Sequence, residues 1–288
     1  MISPDKLKRG DKVALLAPAA YCEPSTTIFE KVGLTVEIME SCYRRHGYFA
    51  GEDEIRASDL MKAFTNPDIK GVFALRGGYG SQRLLPLLDY ECIQAKIFAG
   101  YSDITALHTA FNQKCGFITY HSPMAGTELK SDVDSFTLNS LFGQIMEGFC
   151  SPKLSCTPLL PKNVSGRLCG GNLSMIVSSL ATPYEIDTCD KILFLEDIGE
   201  AAYKIDRMLL QLKYAGKLSD CCAIVLGSFS PETSASMSQA INEILIPIKK
   251  PLFADLPCGH CLPTATLPLG KIVEICKDGK INFQHLDS

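Results

Sequence analysis

Along the first 120 residues, short apolar runs take turns with stretches of helical periodicity. Lys12-Val13-Ala14-Leu15-Leu16-Ala17 is apolar almost throughout and closes at Pro18, which suits a strand covered on both faces. Residues 25–32 predict a short helix, and residues 34–39 alternate as a second strand. Over residues 52–64, Ile55, Leu60, Ala63 and Phe64 recur at helical spacing and the pattern stops at Asn66-Pro67, before a strand over 69–75. A helix over 82–88, a strand over 97–99, a helix carrying Ile104, Leu107 and Phe111, and a strand over 116–120 continue the series. Such alternation implies an α/β fold with a mostly parallel sheet, helices on both faces and ligands at the carboxyl ends of the strands.

After a helix over 132–146 the texture changes. Residues 148–164, with Pro152, Pro158 and Pro161, read as a linker between a domain of residues 1–147 and a smaller one of residues 165–288. The second stretch predicts strands over 191–195 and 223–229, helices over 203–214 and 239–248, and a short run over 252–256. A hairpin over 272–283 turns at Asp278-Gly279.

Composition narrows the class. With 288 residues, 46% hydrophobic and 21% charged, the chain is globular and long enough for a full core. No apolar run is long enough to cross a bilayer and residues 1–12 lack an apolar stretch, so the expectation is a cytoplasmic enzyme with no membrane partner. A net charge of −4 without a basic cluster argues against a nucleic-acid partner. Thirteen cysteines, mostly inside apolar segments, point to reduced core thiols rather than a disulfide framework.

Two strand ends carry candidate chemistry. The strand over 69–75 runs into Arg76-Gly77-Gly78-Tyr79-Gly80-Ser81, where three glycines let the backbone approach closely and leave N–H groups to meet an anion. Neither nucleotide-loop pattern is present, which leaves a plain turn or a loop lining a site that accepts negative charge. The strand over 97–99 runs into Gly100-Tyr101-Ser102-Asp103-Ile104. A serine at such a strand-to-helix turn exposes its hydroxyl to a base, and the following Asp103 N–H can face a developing oxyanion. Ile104 stands where the second glycine of a G-x-S-x-G elbow would be.

A serine nucleophile needs a base and a group that orients it. Of five histidines, His108 reads as a packing residue, His46 and His285 have no neighbouring motif, and His121 suits a substrate pocket. His260, in a turn between Gly259 and Cys261, is the best base. Glu196 and Asp197 close an apolar strand, where an ionised group needs a partner; a structural salt bridge is the plainer reading of either. Cys258-x-x-Cys261 with His260 offers three metal ligands and no second pair, so no metal site is indicated. Neither thiol has a helix start to lower its pKa. Arg76 either clamps a carboxylate or pairs with an acidic neighbour.

Taken in order, five blocks resemble the LD-carboxypeptidase family of serine peptidases. They are the 76–85 loop with Arg83-Leu84-Leu85, the 100–108 turn, Gly170-Gly171-Asn172-Leu173-Ser174, the 194–200 block followed by Ile205-Asp206-Arg207-Met208-Leu209, and Gly259-His260 ahead of Thr266-Leu267-Pro268-Leu269-Gly270. The resemblance implies a Rossmann- or flavodoxin-like first domain and a smaller α/β second domain, with the site in a crevice between them. It also implies a triad of Ser102 as nucleophile, His260 as base and Glu196 as orienting carboxylate, with Glu200 the other candidate for the last role. The Asp103 N–H and a glycine N–H of Gly77 or Gly78 would form the oxyanion hole. The implied reaction releases the terminal D-alanine of murein tetrapeptides during cell-wall recycling, without metal or cofactor, usually in a homodimer. Alternatives are a same-family immunity peptidase acting on a peptide-nucleotide antibiotic and a non-catalytic muropeptide sensor. Cys261 stands where the family commonly has glycine.

Overall fold

A computed structural model describes residues 1–130, 132–229 and 234–284; His285 lies outside them. The chain divides into two compact units, one of Met1–Pro152 with Ala265–Pro268 and one of Lys153–Thr264 with Leu269–Ser288.

In the first unit, strands β1 (Lys12–Leu16), β2 (Thr35–Ile38), β3 (Ile69–Ala74), β4 (Ile97–Gly100) and β5 (Thr119–His121) lie in the order β2-β1-β3-β4-β5. Every pair along this row is parallel. The central strands are buried on both faces, which is why they read as unbroken apolar runs. This is the flavodoxin-like order, whose direction reverses between β1 and β3; ligands in such sheets sit beyond the carboxyl ends of the strands near that reversal. The glycine loop follows β3, and Ser102 follows its neighbour β4.

Helices α1 (Thr27–Lys31), α2 (Asp53–Thr65), α3 (Thr105–Ala110) and α4 (Ser135–Ile145) connect or follow these strands. The Asp134 side chain caps α4 by accepting from the Thr137 N–H at 2.9 Å. The helix expected over 82–88 is a run of 3-10 turns, Ser81–Leu87, with Pro86 inside it. Proline removes a donor and cannot continue an α-helix, so the tighter turn takes its place.

The second unit begins inside the stretch expected as a linker. Residues 153–160 of that stretch contribute β6 (Leu154–Ser155) and β7 (Thr157–Leu160). They edge a sheet with β8 (Val164–Asn172), β9 (Lys191–Glu196), β10 (Ala223–Leu226) and β11 (Leu252–Ala254). Strand β12 (Leu267–Leu269) joins the first sheet beside β5, and β13 (Ile272–Ile275) and β14 (Lys280–Phe283) form the hairpin on the second. Strands β8 to β11 are parallel, and the outer pairs are antiparallel. The helix expected over 203–214 is α6 (Ala202–Tyr214), preceded by α5 (Leu173–Ser178).

No disulfide joins the cysteines of the described residues. Burial holds several thiols far above their usual range, Cys42 and Cys221 to about 12 among them. They pack as small apolar side chains. Among the described residues no helix is long and apolar enough to cross a membrane.

Candidate active site

Within the first unit, Ser102 has φ +63°, a left-handed conformation uncommon for a residue with a side chain. Such a conformation costs about 1–3 kcal/mol and persists where the surroundings over-determine it. The surroundings are visible on both sides. Before it, the Tyr101 hydroxyl donates to Glu128 Oε1 at 2.8 Å, and Glu128 Oε2 accepts from the Met124 N–H at 3.0 Å and the Thr127 hydroxyl at 2.6 Å. After it, Asp103 is buried, and its Oδ2 accepts from the Ser81 N–H at 2.8 Å. The Ser81 hydroxyl donates to the Asp103 carbonyl at 2.5 Å. Burial pushes the Asp103 carboxyl up, and the bonds from Ser81 pull against it. Asp103 therefore laces the Ser102 turn to the glycine loop.

That loop lies against the serine. A methyl group on Gly77 would stand 2.9 Å from Ser102 Cβ and 3.1 Å from its hydroxyl oxygen, so only glycine leaves room there. The Gly77 carbonyl accepts from the Ala20 N–H at 3.1 Å. In a trans peptide the N–H points the opposite way, so the Gly78 N–H faces away from Ala20. Arg76 is exposed; its Nη1 donates to the Tyr21 carbonyl at 3.4 Å, and no ion pair engages it among the described residues. The acidic neighbour that would merely hold the loop is thus not seen.

Two of the other histidines are placed as well. His108 is buried and its Nε2 meets the Gly100 carbonyl at 2.8 Å; burial lowers its pKa to about 4, so it packs as a neutral ring. His121 is buried at the end of β5, edge-on to Tyr101 with ring centres 5.6 Å apart.

In the second unit, Glu196 ends β9 and is fully buried, and its Oε2 lies 2.7 Å from His260 Nδ1. Burial pushes the Glu196 carboxyl up, while the imidazole bonded to it pulls it down. Gly259 makes this contact possible. At φ +112° it adopts a conformation that side chains disfavour, and a Cβ there would stand 2.7 Å from Glu196 Oε2. Glu200, the other candidate, is paired with Lys204 at 3.0 Å one helical turn on. Cys261 is half-buried, its thiol raised by burial. No group of three His, Cys, Asp or Glu side chains arranged to hold a metal occurs among the described residues.

Asp197 has a different task from its neighbour. Its carboxylate accepts from the Asn172 amide at 3.1 Å, the Ser174 N–H at 2.9 Å, the Ser174 hydroxyl at 2.7 Å and the Ile198 N–H at 2.8 Å. The block 170–174 is thereby bound to the end of β9, in a register that sets Asn172 beside Glu196. Neither this role nor that of Glu128 was expected from the sequence. The available signal was a polar residue flanked by apolar ones, which marks a buried group but not its partner.

A serine on a strained strand-to-helix turn and an imidazole backed by a buried carboxylate are the working parts of a serine hydrolase. Comparison with known proteins is specific. Models of the LD-carboxypeptidase N-terminal and C-terminal domains match residues 13–122 and 165–275. A probable murein peptide carboxypeptidase of Bacillus subtilis is 38% identical over 284 residues, covering 93% of this chain and 89% of the relative. The microcin C7 self-immunity protein MccF of Escherichia coli is 30% identical, over 81% of this chain and 78% of the relative. The crystal structure of muramoyltetrapeptide carboxypeptidase from Oxalobacter formigenes superposes with a TM-score of 0.82 at 34% identity, covering 94% of this chain and 97% of that one. The chain belongs to the LD-carboxypeptidase family and is a serine-type carboxypeptidase.

Proposed function

We propose that the protein hydrolyses the bond between an L-configured centre and the terminal D-alanine of murein tetrapeptides, with Ser102, His260 and Glu196 as its triad. The observation that carries this reading is the 2.7 Å contact between His260 Nδ1 and a carboxylate wholly removed from water. It fixes the proton on Nδ1 and leaves the lone pair on Nε2, the nitrogen that has to take the serine proton. Ser102 Oγ attacks the scissile carbonyl carbon as His260 accepts the hydroxyl proton. The carbonyl oxygen gathers negative charge, which the Asp103 N–H and the Gly78 N–H stabilise. Collapse of the tetrahedral intermediate expels D-alanine, its amine protonated by His260, and leaves an acyl-enzyme on Ser102. Water, deprotonated by the same imidazole, releases the shortened peptide. Arg76, exposed beside the glycine loop, is the group we assign to the free carboxylate of the departing D-alanine.

The setting that suits this activity is cell-wall recycling in the cytoplasm, with the enzyme as a homodimer. Similarity to the self-immunity protein supports a second reading, in which the same machinery cleaves an aminoacyl-nucleotide amide. Mass spectrometry after incubation with a purified tetrapeptide, and separately with such an amide, distinguishes them. The expected result is loss of one alanine from the tetrapeptide, abolished in Ser102→Ala to on the order of 10³-fold or more below wild type. A Ser102→Ala protein that releases alanine at the wild-type rate removes the nucleophile and the mechanism with it.

A further inference from the structure

Among the described residues the largest fully buried side chain is a charged one, Arg56. It occupies an apolar-face position of α2, in register with Leu60, Ala63 and Phe64. A guanidinium there is tolerable only if its donors are taken. They are taken by loops at the carboxyl ends of the strands. Nη1 donates to the Pro18 carbonyl at 2.6 Å, just past β1, and to the Gly80 carbonyl at 3.1 Å, at the far end of the glycine loop. Nε donates to the Gly51 carbonyl at 3.2 Å, and Nη2 is paired with Asp53. Asp53 is held in turn by Arg83, whose Nε donates to Oδ2 at 2.8 Å. The Phe49 ring lies against the guanidinium, 4.8 Å from its carbon. Gly80, at φ +129°, leaves the space this arrangement needs, since a Cβ there would stand 2.8 Å from Nη1.

We infer that Arg56 is a positioning residue for the oxyanion donors, acting through the backbone of the glycine loop. The inference rests on the reading of that loop as part of the oxyanion hole. Glycines at 77, 78 and 80 give residues 76–81 an unusually wide choice of backbone conformations. An N–H donor stabilises a developing charge fully only when its direction is set before the charge appears. The near end of the loop is fixed by β3, Gly77 by Ala20 and Ser81 by Asp103. Arg56 supplies the remaining constraint at Gly80 and ties it to Pro18 and Gly51, so three loops share one rigid plane. A lysine could not do this, because a single ammonium on a flexible stem lacks the planar fork that reaches several carbonyls at once.

The test compares wild type, Ser102→Ala, Arg56→Met, Arg56→Lys and Asp53→Asn on the tetrapeptide. Turnover is expressed per active site titrated to completion with a fluorophosphonate. A merely structural role would reduce the number of titratable sites and leave turnover per site unchanged. The expected result is a fall in kcat per site of about 10²-fold for Arg56→Met, the size of effect that follows loss of one oxyanion donor. KM should stay within about threefold and Arg56→Lys should recover little, as the fork rather than the charge is needed. Should Arg56→Met yield no folded protein, Asp53→Asn keeps the guanidinium but frees one side of it, and a several-fold fall per site is expected there. Folded variants with wild-type turnover per site overturn the inference alone. A wild type that releases no alanine overturns the functional reading and this inference with it.

Discussion

Glu196 is a carboxylate with no exposure to water, and it is held in place by one imidazole and by a glycine that cannot be replaced without collision. The arrangement costs stability. A group whose folded pKa is raised contributes most below its ordinary range and loses that contribution as pH rises through the raised value. Burial raises Glu196, so the folded protein is penalised at neutral pH for keeping this side chain ionised. The mechanism proposed above needs it ionised, because there the imidazolium formed during attack has to be balanced. Glu196→Gln keeps the size and discards the charge. Its kcat should fall by about 10³–10⁴-fold, while urea midpoints at pH 8 should be no lower than those of wild type. Near-wild-type turnover in that variant would take Glu196 out of the relay.

At the scale of elements, the pairing of β8 with β9 decides whether Glu196 is presented at all. Gly170 lies opposite Phe194 in this pairing, at φ +120°, and a Cβ there would overlap the Phe194 carbonyl oxygen. Gly170→Ala should therefore destabilise the second unit by more than about 3 kcal/mol, through strain together with lost ladder bonds. Denaturant unfolding followed by amide exchange in β9 would measure it, and a loss below about 1 kcal/mol would show that the ladder shifts to accommodate the methyl. The same pair of strands shows what a sequence can and cannot reveal. Strand β9 was legible because it is a run of apolar residues. Strand β8 did not stand out, because glycines interrupt its apolar run where close approach requires them: a Cβ on Gly166 would stand 2.8 Å from the Cys222 sulfur, and one on Gly170 would meet the Phe194 carbonyl. Ser102 and His260 stood out because a turn and a small neighbour flagged them, whereas the strand end flagged Glu196 and Asp197 alike and only the family resemblance separated the two. Arg56 did not stand out, because its partners are carbonyls, and any residue supplies a carbonyl. The residues alone likewise do not decide between Glu196, the last residue of β9, and Glu200 just beyond it: only the direction of the side chain sends one to His260 and the other to Lys204.

At the scale of the whole molecule, acid should act in two separable windows. Asp53, Asp134, Asp187, Glu185 and Asp278 are held below their ordinary values, which are 3.8 for aspartate and 4.5 for glutamate. Groups depressed in this way stabilise the fold above those values and lose that contribution only as pH falls below them. His108 works in a higher window. Burial lowers it from 6.5 to about 4, so between these pH values the unfolded chain binds a proton that the folded chain refuses. Stability must therefore decline as pH drops from about 6.5 to about 4, by up to about 3 kcal/mol from this group alone. His108→Gln can still donate to the Gly100 carbonyl and has nothing to titrate. Its stability should change less over that window, and the two curves should run parallel again below it. Because His108 belongs to the first unit, the reading to take is amide exchange in β4, whose last residue it holds. Acid limbs that coincide from pH 6.5 to 4 would mean that the buried ring accepts its proton without unfolding, and the anchor beneath the Ser102 turn would then have to carry a charge.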